Sequence, residues 1–127
     1  ALELTAQNAK HLGADVNIIK SDMFSSLSGA FDVIVSNPPY IPRAVIPTLS
    51  KQVNYEPKLA LDGGNDGLDY YRKIKNDYRR FLKKGGIMLL ETGHNQGGEL
   101  IRIFDGGAVI KDYKGNDRIL KLEKKYV

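Results

Sequence analysis

Val33-Ile34-Val35-Ser36-Asn37-Pro38-Pro39-Tyr40 is the stretch around which the chain is organised. Val33 to Val35 is an apolar, β-branched run, the pattern of a strand buried on both faces as in a parallel sheet. It stops at Ser36-Asn37 and two consecutive prolines. Proline holds φ at about −65° and offers no N–H to a ladder, and Pro39 keeps Pro38 extended. The strand therefore ends in a stiff loop carrying a carboxamide, carbonyls without neighbouring N–H groups, and an aromatic ring. Ligands of open α/β sheets bind at the carboxyl ends of strands, which makes Asn37-Pro38-Pro39-Tyr40 the first candidate for chemistry.

Upstream, Leu2, Ala6, Ala9 and Leu12 are spaced for a helix, Lys10 and His11 suit its last turn, and Gly13 stands where a C-cap belongs. Val16 to Ile19 reads as a strand running into Lys20-Ser21-Asp22, followed by Met23-Phe24. Downstream, the region 41–67 contains Pro42, Pro47, Pro57 and a Gly/Asp/Asn-rich run at 62–67. A loop this long inside a compact domain is functional or disordered. The apolar and aromatic residues spread through it (Ile46, Leu49, Val53, Tyr55, Leu59, Leu61) favour a substrate-facing flap. The Gly63–Gly67 run has the composition of an anion-binding nest, but no strand precedes it as a dinucleotide fingerprint would require.

Leu68, Tyr71, Ile74, Tyr78, Phe81 and Leu82 predict the strongest amphipathic helix in the chain. Asp69 lies in its first turn, Lys83-Lys84 at its end, and Gly85-Gly86 as its stop. Ile87 to Leu90 predicts a second buried strand closing on Glu91-Thr92-Gly93. A shorter helix follows around 98–104. Val109-Ile110 and Ile119 to Leu122 flank Lys114-Gly115-Asn116-Asp117, a hairpin signal. This order of elements describes an α/β sheet with an antiparallel end, doubly wound.

At 127 residues the chain is one domain or part of one, and its 42% hydrophobic and 27% charged residues are ordinary for a globular protein. No apolar run approaches a membrane span, and the helical start does not read as a signal peptide. With no cysteine there is no thiolate nucleophile and no cysteine metal site, and the two histidines, His11 and His94, do not make a metal cluster. The net charge of +4 is dispersed, so it does not point to a nucleic acid.

Asn-Pro-Pro-Tyr after an apolar strand resembles the catalytic motif of S-adenosylmethionine-dependent methyltransferases acting on planar NH2 groups, the DNA adenine-N6 and glutamine-N5 enzymes. The continuation is more specific. Tyr55-Glu56-Pro57, Ala60-Leu61-Asp62-Gly63-Gly64 and Asp66-Gly67-Leu68-Asp69-Tyr70-Tyr71-Arg72 resemble the HemK family of protein-(glutamine-N5) methyltransferases, which modify peptide-chain release factors. Lys84-Gly85-Gly86, Leu89-Leu90-Glu91-Thr92-Gly93 with Gln96-Gly97, and Asn116-Asp117-Arg118 extend the likeness along essentially the whole chain.

The resemblance implies a Rossmann-like methyltransferase sheet with an antiparallel C-terminal hairpin. It also implies a cytoplasmic enzyme using S-adenosylmethionine without a metal, acting on a release factor, with no membrane and no direct nucleic-acid partner. Asn37 would accept from the substrate amide NH2, the Pro38 carbonyl would accept the other N–H, and Pro39 and Tyr40 would pack about the acceptor. Asn37, Asp22 and Met23 would contact the donor, the last two at its adenine. Phe24 reads as core, Glu91 as a structural hydrogen-bonding group, and His94 as exposed. Glu56 reads equally as a flap-internal hydrogen bonder or a site residue. Arg79-Arg80 and Lys83-Lys84 read as a solvated helix face. An adenine-N6 methyltransferase and a non-catalytic acceptor-binding module are the competing readings.

The family's glycine-rich donor loop and ribose-binding carboxylate have no counterpart in these residues. Ala1 to Gly13 resembles the helix after the family's second strand. The expectation is therefore a C-terminal portion of one catalytic domain over residues 1–127, with the sheet's first two strands and the helical recognition domain absent. Phe31–Val35 would then be a free edge, and the isolated chain would bind the donor weakly and self-associate.

Overall fold

The computed structural model describes residues 1–125. The amphipathic pattern of the central region forms α4 (Asp69–Phe81), preceded in the chain by α1 (Leu2–Leu12) and two single-turn helices, α2 (Lys51–Asn54) and α3 (Lys58–Leu61), and followed by α5 (Gly97–Phe104). Four strands, β1 (Phe31–Ser36), β2 (Leu82–Glu91), β3 (Ala108–Lys111) and β4 (Asp117–Glu123), make one sheet in the order β1-β2-β4-β3. β1 and β2 are parallel, with Ile34 beside Met88 and Val35 beside Leu89. β4 runs antiparallel to both β2 and β3. The expected α/β sheet with an antiparallel end is what forms.

Side-chain alternation divides this sheet into two unlike faces. Ile34, Met88, Leu90, Leu120 and Leu122 pack with Tyr71, Ile74 and Tyr78 of α4 and with Leu100 and Phe104 of α5. Phe24 joins this cluster by stacking on Phe81, ring centroids 4.8 Å apart, so it is a core residue as its sequence position suggests. On the other face, Val33 and Val35 are 52% and 72% exposed. The expectation that Val33–Val35 is buried on both faces is therefore corrected. Among the described residues β1 is the edge strand, as expected, with β2 alone as its neighbour, and helices cover only one of its faces.

Two further expectations change. Val16–Ile19 is not a strand: Val16, Ile18 and Ile19 are exposed, and no described strand lies beside them to complete a ladder. Gly85-Gly86 is not a helix stop. α4 ends at Phe81, and the buried Leu82 turns directly into extended backbone. The glycines lie within β2, where Lys83–Gly86 bulge out between the pairs Phe31–Leu82 and Val33–Ile87. Gly85 adopts φ +76° there, and its N–H donates to the Lys124 carbonyl at 2.6 Å. α1 forms as expected and ends at Gly13 with φ +64°, but it buries no residue.

Candidate active site

β1 carries Ser36 out of the sheet and the two prolines stop it, leaving Asn37 exposed, Pro38 buried, and Pro39 and Tyr40 half-buried. Among the described residues the Asn37 side chain makes no hydrogen bond and the Pro38 carbonyl accepts none. Two acceptors on a stiff loop are thus uncommitted. Both sit at a cleft of about 870 Å³ lined by Asn37–Ile41, by Leu49, Val53, Glu56, Pro57 and Leu59–Leu61, and by Glu91 at the end of β2.

The region 41–67 folds into short helical turns and forms the opposite wall of that cleft. At its neck the Ile41 N–H donates to the Leu61 carbonyl at 3.2 Å, and the Gly63 N–H donates to the Ile41 carbonyl at 2.9 Å. The Arg43 Nε donates to the Asp62 carboxylate at 2.8 Å. The guanidinium holds that carboxyl below the usual carboxylate range, helped by the Gly64 N–H. Between the two sides of the neck, a 3-10 helix (Arg43–Thr48), α2 and α3 present Leu49, Val53 and Leu59 to the cleft. Glu56 faces the same space and has no side-chain hydrogen bond within the flap.

The Gly63–Gly67 run forms a turn in which three N–H groups already have partners: Gly63 N–H donates to the Ile41 carbonyl, Gly64 N–H to the Asp62 carboxylate at 2.9 Å, and Gly67 N–H to the Gly64 carbonyl. The Asp69 carboxylate also lies where a side chain on Gly64 would stand.

Tyr40 is held from several directions. Its phenol donates to Glu91 Oε1 at 3.1 Å, and its carbonyl accepts from Gln96 Nε2 at 2.8 Å. Burial, then the neighbouring Glu91 carboxylate, pushes the Tyr40 phenol above its ordinary value, so it stays a neutral donor. The buried Tyr71 phenol donates to the Glu91 main-chain carbonyl at 2.6 Å and fixes the end of β2 from below. Glu91 accordingly does structural hydrogen-bonding work, in keeping with its sequence reading. The part taken by Gln96 was not foreseen. Its only sequence signal was its place in the Glu91-Thr92-Gly93 … Gln96-Gly97 likeness.

Asp22 and Met23 lie in a compact turn before β1, closed by Ser21 Oγ donating to the Met23 carbonyl at 2.9 Å and accepting from the Ser26 N–H at 2.9 Å. Asp22 is exposed. Met23, at φ +55°, leans on the core cluster. Neither lines the cleft at Asn37–Tyr40. His94 is exposed, as expected.

Comparison with known proteins gives these residues a context. A family model described as the methyltransferase small domain matches residues 1–52, which include both the Asp22-Met23 turn and Asn37–Tyr40. The release factor glutamine methyltransferase of Agrobacterium fabrum is 43% identical over 132 residues, covering 98% of this chain and 46% of that protein. The ribosomal protein uL3 glutamine methyltransferase of Neisseria meningitidis serogroup A is 40% identical over 98 residues, 76% of this chain and 32% of that protein. The crystal structure of a methyltransferase from Pyrococcus furiosus superposes with a TM-score of 0.64 at 22% identity, covering 98% of this chain and 57% of that one, a likeness of fold. The chain spans about half the length of the curated release factor relatives it matches.

Proposed function

We propose that this chain is part of a protein glutamine methyltransferase, and that the protein transfers methyl from S-adenosylmethionine to the side-chain amide nitrogen of a glutamine in a peptide-chain release factor. Relatives at 39–43% identity, named release factor glutamine methyltransferase, support the reading. Residues 1–127 form the acceptor-facing part of a single catalytic domain in this reading. The observation that carries it is the pair of uncommitted acceptors, Asn37 Oδ1 and the Pro38 carbonyl, on a stiff loop in a cleft sized for a side chain and its flanking backbone.

A carboxamide nitrogen is a poor nucleophile because its lone pair is delocalised into the carbonyl. Asn37 and Pro38 would accept one N–H each, fix the direction of the nitrogen, and favour the positive charge that develops as it attacks. This is orientation with electrostatic stabilisation, without a covalent intermediate. Tyr40 would pack on the amide plane, with Pro39 beside it. Leu49, Val53 and Leu59 would exclude water around the acceptor chain.

In this reading Asn37, exposed just after the edge strand β1, would contact the donor. Asp22 and Met23 in the preceding turn would meet its adenine. When bound, S-adenosylmethionine supplies a sulfonium-activated methyl group. No described helix is long and apolar enough to cross a membrane.

The relatives' names attach methylation to glutamine in proteins rather than to adenine in DNA, and one of them names a ribosomal protein as its acceptor. Incubating the intact protein with S-adenosylmethionine and a release factor, with uL3 as a parallel acceptor, should add the mass of one methylene to a single glutamine of the release factor. No transfer to the release factor by a folded, donor-binding protein would refute the proposal. Transfer to uL3 alone would reassign the acceptor.

A further inference from the structure

We propose that Gln96 is a positioning residue of the acceptor site, its carboxamide clamping the Asn37–Tyr40 loop to the turn that follows β2; the inference rests on the function proposed above. Gln96 is 8% exposed, and both ends of its amide are engaged. Oε1 accepts from the Gly93 N–H at 2.7 Å, and Nε2 donates to the Tyr40 carbonyl at 2.8 Å. The alternative amide orientation would set donor against donor and acceptor against acceptor, so one arrangement alone satisfies both partners.

The surroundings are shaped for this bond. A Cβ on Gly67, which has φ +80°, would stand 2.4 Å from the Tyr40 oxygen and 3.1 Å from Gln96 Nε2. A Cβ on Gly93 would stand 3.0 Å from Gln96 Oε1. Two glycines from separate segments thus leave the room in which the amide lies. Gln96 is in turn fixed by its place at the start of α5. The next N–H, that of Gly97, donates to Asp117 Oδ2 at 3.0 Å, and the Asp117 N–H donates to the His94 carbonyl at 3.2 Å. Gly67 and Gln96, which the sequence places far apart, meet at the Tyr40 carbonyl, and Asp117 braces the segment that carries Gln96.

That carbonyl bears on the site because the backbone between it and the acceptors is short and stiffened. Pro38 and Pro39 have restricted φ, so holding the Tyr40 carbonyl narrows the directions open to the segment that carries Asn37 Oδ1 and the Pro38 oxygen. Misplacing a reacting group by about 1 Å can cost on the order of a hundredfold in rate. Gln96 itself does not line the cleft at Asn37, so its effect passes through Tyr40.

Gln96→Glu in the intact protein tests the clamp, with a release factor and S-adenosylmethionine as substrates. The substitution keeps the acceptor for Gly93 but at neutral pH sets a carboxylate against the Tyr40 carbonyl. Protonating the introduced carboxyl restores a donor. The expected result is a fall in kcat of about tenfold or more, larger than the change in KM, and a gap to wild type that narrows as pH falls. A merely structural role would lower Tm and leave the gap independent of pH. Wild-type kcat at neutral pH, or a gap that does not narrow, overturns the clamp. Asn37→Ala run in parallel separates the two inferences, because undiminished turnover in that variant overturns the proposed acceptor site instead. Should Gln96→Glu not fold, the wild-type protein decides. The Gln96 Nε2 protons should exchange slowly in 15N spectra and shift when the release factor binds. Fast exchange with no shift overturns the proposal.

Discussion

The phenol of Tyr40 donates to the carboxylate of Glu91 across 3.1 Å, joining the loop after β1 to the last residue of its parallel neighbour β2. The two residues are 51 positions apart in sequence, and both line the cleft at Asn37. Because burial and the Glu91 charge both raise its pKa, Tyr40 should titrate above the ordinary tyrosine range. Glu91→Gln should lower that pKa without restoring it fully, since burial remains. Ultraviolet difference titration, with Tyr40→Phe subtracted, reads the shift. A Tyr40 titration unmoved by Glu91→Gln would mean that the pair is not formed in solution.

Asn37→Ala should leave Tm unchanged, because the side chain is exposed and makes no hydrogen bond to the described residues. Its kcat should fall on the order of a hundred- to a thousandfold, or about 2.7–4 kcal/mol of barrier, by analogy with the loss of one oxyanion-hole donor. Steady-state kinetics beside a melting curve measures both.

The unlike faces of the sheet predict unlike costs for similar truncations. Leu90→Ala removes a fully buried side chain from the core beneath α4 and α5 and should cost about 2–5 kcal/mol. Val35→Ala, at a side chain 72% exposed, should stay within about 0.5 kcal/mol. Urea denaturation of both variants against wild type tests the assignment of faces. Equal losses would contradict it.

The β3–β4 turn is organised by one carboxylate. Asp112 accepts from the N–H groups of Lys114 and Asn116 and from the Arg118 guanidinium, and its carboxyl is held down to about 2. A depressed folded-state pKa stabilises the fold above the unfolded value, and that stabilisation is lost as pH falls through the folded one. The Tm difference between wild type and Asp112→Asn should therefore be full above about pH 4 and close on acidification through about pH 2. A difference independent of pH would rule out the carboxylate as its source.

Arg43 and Asp62 close the neck of the flap. Arg43→Gln should speed tryptic cleavage at Lys51 and Lys58, which are exposed on the flap helices, while Tm holds because the pair lies at the surface. Cleavage at the wild-type rate would show that the backbone pairing of Ile41 with Leu61 and Gly63 closes the neck without the ion pair.

Local patterns were legible in the sequence wherever the physics is local. The spacing of Tyr71, Ile74, Tyr78 and Phe81 made α4, Gly13 capped α1, and two prolines ended β1, because periodicity, positive φ and a missing N–H act within a few residues. Asn37–Tyr40 could be read as the candidate site for the same reason. What only the tertiary structure decided depends on what lies alongside. Val33 and Val35 have the composition of buried residues, and the free edge of β1 was expected, yet their exposure follows from the helices, which among the described residues cover one face of β1 and not the other. Gly85-Gly86 could end a helix or bulge a strand, and the adjacent backbone at Asp32 and Lys124 made them a bulge. The clamp on Tyr40 lay beyond sequence reasoning. Gln96 reaches it across 56 positions, and Gly67 and Gly93 matter there for the volume they leave empty, which no local pattern encodes.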